Sequence, residues 1–547
     1  MKLAIHYSTV KQPPKPGQIY GLQVAISDWI RAAFSYSNQE RFFFFIHQEE
    51  SIAELEETAQ EAGISSARLV FLSDRFPRQN MEAFDTIFRA DPDPRHLLWQ
   101  RNLLPSSGFS FCGLAHAIAG KDSGAVLARY CLGPSKKSDA LVCPSESIKR
   151  VVQNFFAHYG DYLTERFGAN YTCPIQLPVI PLGVNIEQIE KKVSPEKRKA
   201  QRQTLGLDEK DVVVLWVGRL SYSIKAHPLP MFLAVQEAAQ KTGRSVHFIM
   251  QGYFVPETAA QKFENLAKSV CLNAKVSFID THDKRFPDGL WAAGDIFLSL
   301  VDNIQESFGL TPIEAIAAGL PRVLSDWDGY RESVTHGKDG FLVPTSQPPS
   351  GAGGELAELM IGGRESYGGI LAKTAQCIAI DHHAAGRAIA ELIEKPELRL
   401  QIANEAKKRL PTYAWENIIP AYENLWEELA KKKTTEQKLP FVHPHAPDPF
   451  TLYDSHPSLT LKEETRFTLD ADTQTIQNRL SHEMNTLALD IMINAADIPI
   501  LLNKMGEQDS FSYETLVQTF PDQDRNRLWR TVSWLLKLGI IRICSHN

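Results

Sequence analysis

The sequence predicts an α/β protein made of two successive Rossmann-like domains with a small α+β domain behind them. Apolar strand-like runs alternate with amphipathic helical stretches from Met1 to about residue 192 and again from Val212 to Pro344, the pattern of parallel sheets covered by helices on both faces. Length agrees: at roughly 150 residues per domain, 547 residues give three to four units. A proline-rich stretch then separates a tail of different pattern. The boundaries read from these shifts are 1–190 and 191–430 for the two Rossmann-like domains, 431–458 for a linker and 459–547 for the last domain.

In the first domain, Met1 to Tyr7 is a strand, and Gly17 to Ile26 is a glycine-bearing turn that opens an amphipathic helix. Gly17 and Gly21 do not have the spacing of a GxGxxG dinucleotide fingerprint, and isolated glycines are ordinary turn chemistry. Phe109 to His116 is a strand end that delivers a histidine. A lone histidine in an apolar stretch is commonly a hydrogen-bonded core residue, so a role for His116 rests on the order of the motifs around it. Asp139 to Ser145 is the last strand, Val179 to Asn185 the crossover, and the charged stretch from Glu187 to Asp211 holds the interdomain linker and a short helix.

In the second domain, the strand Val212 to Val217 runs into Gly218 and Arg219, with Lys225 six positions beyond Arg219. Ligands of α/β proteins gather outside the carboxyl ends of the strands, so a buried strand ending in these residues has a phosphate-site layout. The plainer alternative makes both cations ordinary surface charges. Leu290 to Leu300 is a helix end followed by a buried strand. From Glu306 to Pro321 the chain places two carboxylates, Glu306 and Glu314, eight positions apart across the mouth of a helix. Thr311 is expected to cap it with Pro312 at its first position, and Gly319 and Pro321 stop it. Free N–H groups of Phe308, Gly309 and Leu310, with the helix dipole behind them, would face a diphosphate. The competing reading makes Thr311 and Glu314 a capping box and Glu306 a solvated acid. Arg322 to Glu332 is a strand entering a glycine-bearing turn, and Gly340 to Pro344 follows. Residues 345–354 read as a flexible insertion with no assignable role, and helices resume at 388–393 and 415–429.

The run from Val212 to Pro344 resembles the nucleotide-binding half of retaining glycosyltransferases of the GT-B fold, in particular glycosyltransferase family 4, whose signature is a Glu-x7-Glu pair. The resemblance extends loosely over residues 1–430. It implies two Rossmann-like domains facing a cleft, with the terminal helices crossing back onto the first. It also implies that Arg219 and Lys225 contact the donor diphosphate, Glu314 the ribose and Glu306 the sugar hydroxyls, while His116 faces the transferred sugar from the opposite lobe. Gly17 and Gly218 would let backbone approach the donor. The reaction implied is hexose transfer from a nucleotide-diphosphate sugar with the anomeric configuration retained, without cofactor or metal, to a saccharide, lipid or polypeptide acceptor. A GT-B sugar-nucleotide epimerase or hydrolase would use the same pocket, and a catalytically silent scaffold would keep the fold.

The remaining features bound the partners. Five prolines and three histidines (His443, His445 and His456) between Pro440 and Pro457 mark a linker, without the cysteine or carboxylate spacing of a metal site. Alternation at 461–469 and 475–480 reads as strands. Helical patterns at 498–506, 513–520 and 525–539, closed by a strand at 540–544, then suggest a winged helix. Arg525, Arg527, Arg530 and Lys537 cluster on its third helix, yet residues 461–547 carry nine Lys or Arg against twelve Asp or Glu. That balance argues against nucleic acid and favours a protein partner or self-association through residues 459–547. The whole chain is also acidic, with a net charge of −7, so no global basic field recruits nucleic acid or anionic membrane, although peripheral membrane contact stays open. Seven scattered cysteines without C-x-x-C spacing, and an amino terminus that begins directly in a strand, are read as cytoplasmic.

Overall fold

The computed structural model describes residues 1–7, 21–73, 78–104, 108–116, 118–433, 443–444 and 446–544, with backbone alone at 21–24, 78 and 79. Gly17, His445 and residues 434–442 of the expected linker lie outside the described residues. The chain divides into two compact units, 1–441 and 442–547.

Two six-stranded parallel sheets fill the first unit. The first runs β3-β2-β1-β4-β5-β6, from β1 (Leu3–Tyr7), β2 (Phe42–Ile46), β3 (Leu69–Ser73), β4 (Thr86–Arg89), β5 (Ser110–Leu114) and β6 (Ala140–Val142). The second comprises β7 (Val212–Val217), β8 (Val246–Gln251), β9 (Ala274–Ile279), β10 (Ile296–Ser299), β11 (Arg322–Ser325) and β12 (Phe341–Val343), ordered β12-β11-β10-β7-β8-β9. Each is the doubly wound 3-2-1-4-5-6 order, whose strand order reverses between its first and fourth strands. Their composition explains them. β1 and β5 are buried at every position and β7 at all but its last, because helices cover both faces of the sheet. Among the described residues, no helix is long and apolar enough to cross a membrane.

The helix Trp415–Lys433 returns from the second sheet to complete the core of the first. Trp415, Ile418, Ile419, Tyr422, Leu425, Trp426 and Leu429 join the cluster of Trp29, Phe44 and Phe88. The Trp426 ring lies 5.4 Å from Phe88 and 6.2 Å from Trp29. Polar bonds lock this packing: the Glu423 carboxylate accepts from Ser37 Oγ (2.6 Å) and from Asn38 N (3.1 Å) and Nδ2 (3.2 Å). The expected crossing of the terminal helix is thus present.

Three expectations change. The helix at the carboxylate pair spans Leu310–Ala317 with Gly309 at its N-cap, so Thr311 lies inside the first turn rather than capping it. Its end is as expected: Gly319 (φ 75°) and Leu320 donate to Ile316 O and Ala315 O, a Schellman closure. Beyond the loop expected at 345–354 the insertion extends to Ile380. Thr345–Ser346 pairs antiparallel with Ala379–Ile380, and between them lie the helices Gly354–Ile361 and Tyr367–Ala375. In the second unit, 473–481 is a helix and not the second strand, with Asp472 accepting from Thr475 N to cap it. That unit sets the strands Phe511–Ser512, Arg466–Leu469 and Ile541–Ile543 in one antiparallel sheet, with Arg466–Leu469 in the middle. The middle strand comes from ahead of the helices, where a wing hairpin would supply it from behind. Arg527 and Arg530, two of the four clustered cations, donate to Met492 O and Ile491 O and hold the domain's own backbone.

Trp426→Ala is expected to destabilise the first unit by about 3–5 kcal/mol, the cost of emptying a well-packed aromatic site. Chemical denaturation followed by tryptophan fluorescence measures it.

Candidate functional site

The carboxyl ends of β7 and β10 lie side by side where the second sheet reverses its strand order, and the loops leaving them carry the sequence-predicted residues. After β7, Gly218 adopts a positive φ, and Arg219 and Lys225 follow, both partly buried. After β10 the loop reaches Glu306, whose Oε2 meets Lys225 Nζ at 2.5 Å with both side chains largely enclosed. Two further bonds sew the loops together: Asn303 Nδ2 donates to Ser223 O (3.0 Å), and Gln305 Nε2 donates to Ile224 O. Trp327 Nε1 donates to Asn303 O (3.1 Å) and Ser325 Oγ to Val301 O (2.8 Å), which fixes the same loop to the end of β11.

Gly309 is required by its surroundings. Its φ is 88°, and a Cβ there would stand 2.1 Å from Cε1 of Tyr330. The buried Tyr330 hydroxyl bonds Ser299 Oγ (3.1 Å), so the ring is held and cannot yield. Among the described residues, the N–H groups of Phe308 and Gly309 meet no acceptor, and that of Leu310 is one of the orphans of a helix start. Phe308 itself is buried with its ring edge on Tyr413.

Glu314 projects one turn further along this helix. No described hydrogen-bond donor meets its carboxylate, so the capping-box alternative does not hold. Burial pushes its carboxyl up to about 7, Lys192 and Lys225 pull it back, and Asp28 of the first domain adds to the rise. The side chain nevertheless keeps some exposure, so it is a carboxylate surrounded by protein and open on one side.

Two acids that sequence reasoning missed accompany the pair. Asp302 is buried against the His227 N–H (3.3 Å), which leaves its carboxyl raised to about 7, chiefly by burial. Asp328 holds a left-handed φ of 46°, and its Oδ1 is buried without a partner. Burial and then the nearby Glu306 raise its carboxyl to about 8. The Asp328–Gly329 dipeptide is a turn signal that pointed to the conformation, although not to the burial.

The first domain faces this site. Ser145 Oγ donates to Ser307 O (2.9 Å), and Glu332 accepts from the N–H groups of Glu146 and Ser147 at the start of the helix Glu146–Phe167. His116, just past β5, is buried, and its Nε2 lies 3.0 Å from Ala90 O. A carbonyl only accepts, so Nε2 carries the proton and Nδ1 keeps a lone pair. Burial lowers the ring's pKa to about 4, which keeps it neutral. Beside it, and also unread from the sequence, the buried Arg89 bonds Asp91 and His6 Nδ1. Among the described residues, the one group of three close metal-type ligands is Glu237, His382 and His383, none of them read from the sequence.

Two doubly wound domains whose switch points face each other define the GT-B architecture. The Anabaena protein HepE, solved in complex with UDP and glucose, shares it: the match covers 78% of this chain and 100% of that one, at 17% identity and a TM-score of 0.50. Residues 197–359, which lie in the second domain, match the model of the family Glycosyl transferases group 1. Curated relatives named D-inositol 3-phosphate glycosyltransferase include one from Rhodococcus opacus, 30% identical over 185 residues (34% of this chain, 39% of that protein). Another, from Geodermatophilus obscurus, is 28% identical over 241 residues (43% and 50%). The chain thus spans half or less of the length of these relatives.

The raised carboxyl of Glu314 has a measurable consequence. Its folded pKa of about 7 exceeds its unfolded value, so its contribution to stability is fully present below the unfolded pKa and is lost as pH rises through about 7. The melting temperature of the Glu314→Gln variant is expected to fall less between pH 5 and pH 8 than that of the wild type, which differential scanning fluorimetry reads.

Proposed function

We propose that the chain transfers a hexose from a nucleotide-diphosphate sugar to an acceptor hydroxyl with the anomeric configuration retained, as the family 4 resemblance implies. The observation that carries this reading is the convergence of Arg219, Lys225, Glu306, the Phe308 to Leu310 amides and a Glu314 that meets no donor among the described residues on one switch-point crevice. Cations and N–H dipoles suit a leaving diphosphate, whose negative charge grows as the glycosidic bond breaks. A half-enclosed carboxylate without an internal donor suits a ribose diol, which offers two hydroxyls to it.

In this mechanism the bond between the anomeric carbon and the diphosphate oxygen breaks while the acceptor oxygen attacks the face being vacated. The acceptor proton passes to a phosphate oxygen, so no protein base is required. Arg219 and Lys225 hold the diphosphate. Donor entry would divide the Lys225–Glu306 pair between two duties, the ammonium turning to phosphate and the carboxylate to sugar hydroxyls. His116, neutral with Nδ1 as its remaining acceptor, can receive one sugar hydroxyl from the opposite domain. The residues at this site supply the charge stabilisation themselves, and the proposal includes no cofactor. UDP is the first nucleotide to test, because it is the one bound by the HepE neighbour.

Thermal shifts with UDP, GDP, ADP and their hexose conjugates test the donor. One nucleotide should raise the melting temperature, and Lys225→Ala and Glu314→Ala should each weaken its binding about tenfold or more, as loss of a charged hydrogen-bonding partner does. Absence of binding by every nucleotide would sink the transferase reading in favour of a scaffold, whereas release of free sugar without acceptor would favour a hydrolase.

A further inference from the structure

A cavity of about 540 Å³ opens between the first domain and the insertion at 345–380. Ile118, Val126 and Leu127 line it on one side and Met360, Tyr367 and Ile370 on the other. Its size is that of a small-molecule site, and a mainly apolar wall with few polar groups is the usual lining of one. Lys121, Asp122 and Glu365 are the charged side chains in that lining.

The cavity adjoins the place where sugar would be transferred, because both of its walls are tied to the proposed site. Ile118 lies two residues past His116. On the other wall, the Tyr367 hydroxyl donates to Gln305 Oε1 (2.9 Å), the residue before Glu306, while Gln305 in turn holds Ile224 O beside Lys225. Tyr367 also feels the charge of Arg219. Glu314, the proposed ribose ligand, feels Lys225 as well as Lys192 and Asp28. The Tyr367–Gln305 bond sets the cavity beside the loop that carries Glu306, which the proposed reading gives to the sugar, and there an acceptor would stand.

We infer that this cavity receives the apolar body of the acceptor, an aryl or short alkyl group bearing the saccharide or hydroxyl that is glycosylated, and that the insertion exists to form its wall. The inference rests on the transferase reading for its direction, since it takes the cavity's neighbour to be the transferred sugar. A free sugar offers hydroxyls all round, and the apolar part of the wall would strip their water without returning hydrogen bonds, while Lys121, Asp122, Ser123, Glu365 and Ser366 can answer the hydroxyls of an attached saccharide. An aromatic or alkyl group loses nothing polar there and gains by burial. The insertion is suited to the task because its ends are clamped by the Thr345–Ser346 and Ala379–Ile380 pairing and its core is anchored by the buried Ile370 and Leu371. Met360 and Val126, one on each wall, are only partly buried, so they can be changed without emptying a core.

Titration calorimetry of the full chain with 4-nitrophenyl β-D-glucopyranoside, octyl β-D-glucopyranoside and free glucose tests this, with UDP binding followed in parallel. The aryl or alkyl glucoside should bind at least about tenfold more tightly than glucose, a difference of roughly 1.4 kcal/mol. Met360→Asp and Val126→Asp should each weaken that binding about tenfold while leaving the UDP-induced thermal shift intact, which also reports that the variants are folded. Should either aspartate unfold the chain, Met360→Gln or Val126→Ser replaces it with the same expectation. Equal affinity for glucose, no binding of either glucoside, or binding indifferent to both wall substitutions would overturn the inference. Binding of the glucoside by a chain that binds no nucleotide would leave the cavity assigned and remove the transferase reading beneath it.

Discussion

The relative placement of the two sheets depends on the helix Trp415–Lys433. The first domain's core is incomplete without it: Trp426 and Tyr422 pack against the touching rings of Trp29 and Phe88, and the Glu423 carboxylate satisfies Ser37 and the Asn38 amides. The segment that starts this crossing also binds the second domain, because the Tyr413 ring packs on Phe308 and Arg409 pairs with Asp339. One stretch of chain thus serves two cores, so the crevice between them is set by packing as well as by the crossover at 179–185. Glu332 strengthens the alignment from the other side, where it accepts the free N–H groups at the start of a long first-domain helix. A carboxylate at a helix N-terminus is favoured by the dipole as well as by the bonds.

Within that frame the site is electrostatically unfinished by construction. Loops from β7 and β10 bring Lys225 and Glu306 into contact, which holds both in place at little net gain in stability, since partly buried ion pairs lose hydration as they gain attraction. Around the pair stand groups that find no hydrogen-bond partner among the described residues: the Phe308 and Gly309 amides, the Glu314 carboxylate and Oδ1 of Asp328. Buried polar atoms are nearly always hydrogen-bonded, so the missing partner of Asp328 Oδ1 beside this pair is informative. Asp328 adds a left-handed backbone to its missing partner, a second cost at the same residue. Burial and then Glu306 raise the Asp328 carboxyl to about 8, so at neutral pH it stays protonated beside that glutamate.

Much of the fold was legible because the strands are short apolar runs separated by amphipathic helices, and a buried parallel strand has no other pattern available. The candidate site in the second domain was legible as a cluster for a related reason: a glycine after a strand, cations a few residues on and a carboxylate pair around a helix start are local features. Local reading failed where tertiary contacts decide. Thr311 is a good capping residue, yet Tyr330 pressed against Gly309 moves the helix start back, and Thr311 turns its hydroxyl toward that same tyrosine. Residues 475–480 alternate like a strand, but Asp472 caps a helix over them. Arg89, Asp302 and Asp328 are each unremarkable in sequence and acquire their environment from residues far along the chain. Gly17, the weakest of the sequence assignments, falls outside the described residues.

The insertion illustrates where such a fold can vary. It leaves the second sheet after β12, an edge strand, and returns before the helix His382–Glu394, so added length disturbs no interior strand. From that edge its helix Tyr367–Ala375 reaches the loops after β7 and β10, and a Cβ on Gly368 would come within 3.6 Å of Ile224. An element of low structural cost therefore touches the loops that carry the charged groups. The proposed donor side is tied to the switch point of a doubly wound sheet and has few alternatives, because a phosphate cradle requires strand ends, a helix start and cations at fixed offsets. The opposite wall has no such requirement, and an insertion at a sheet edge is where the proposed acceptor wall meets the least structural constraint.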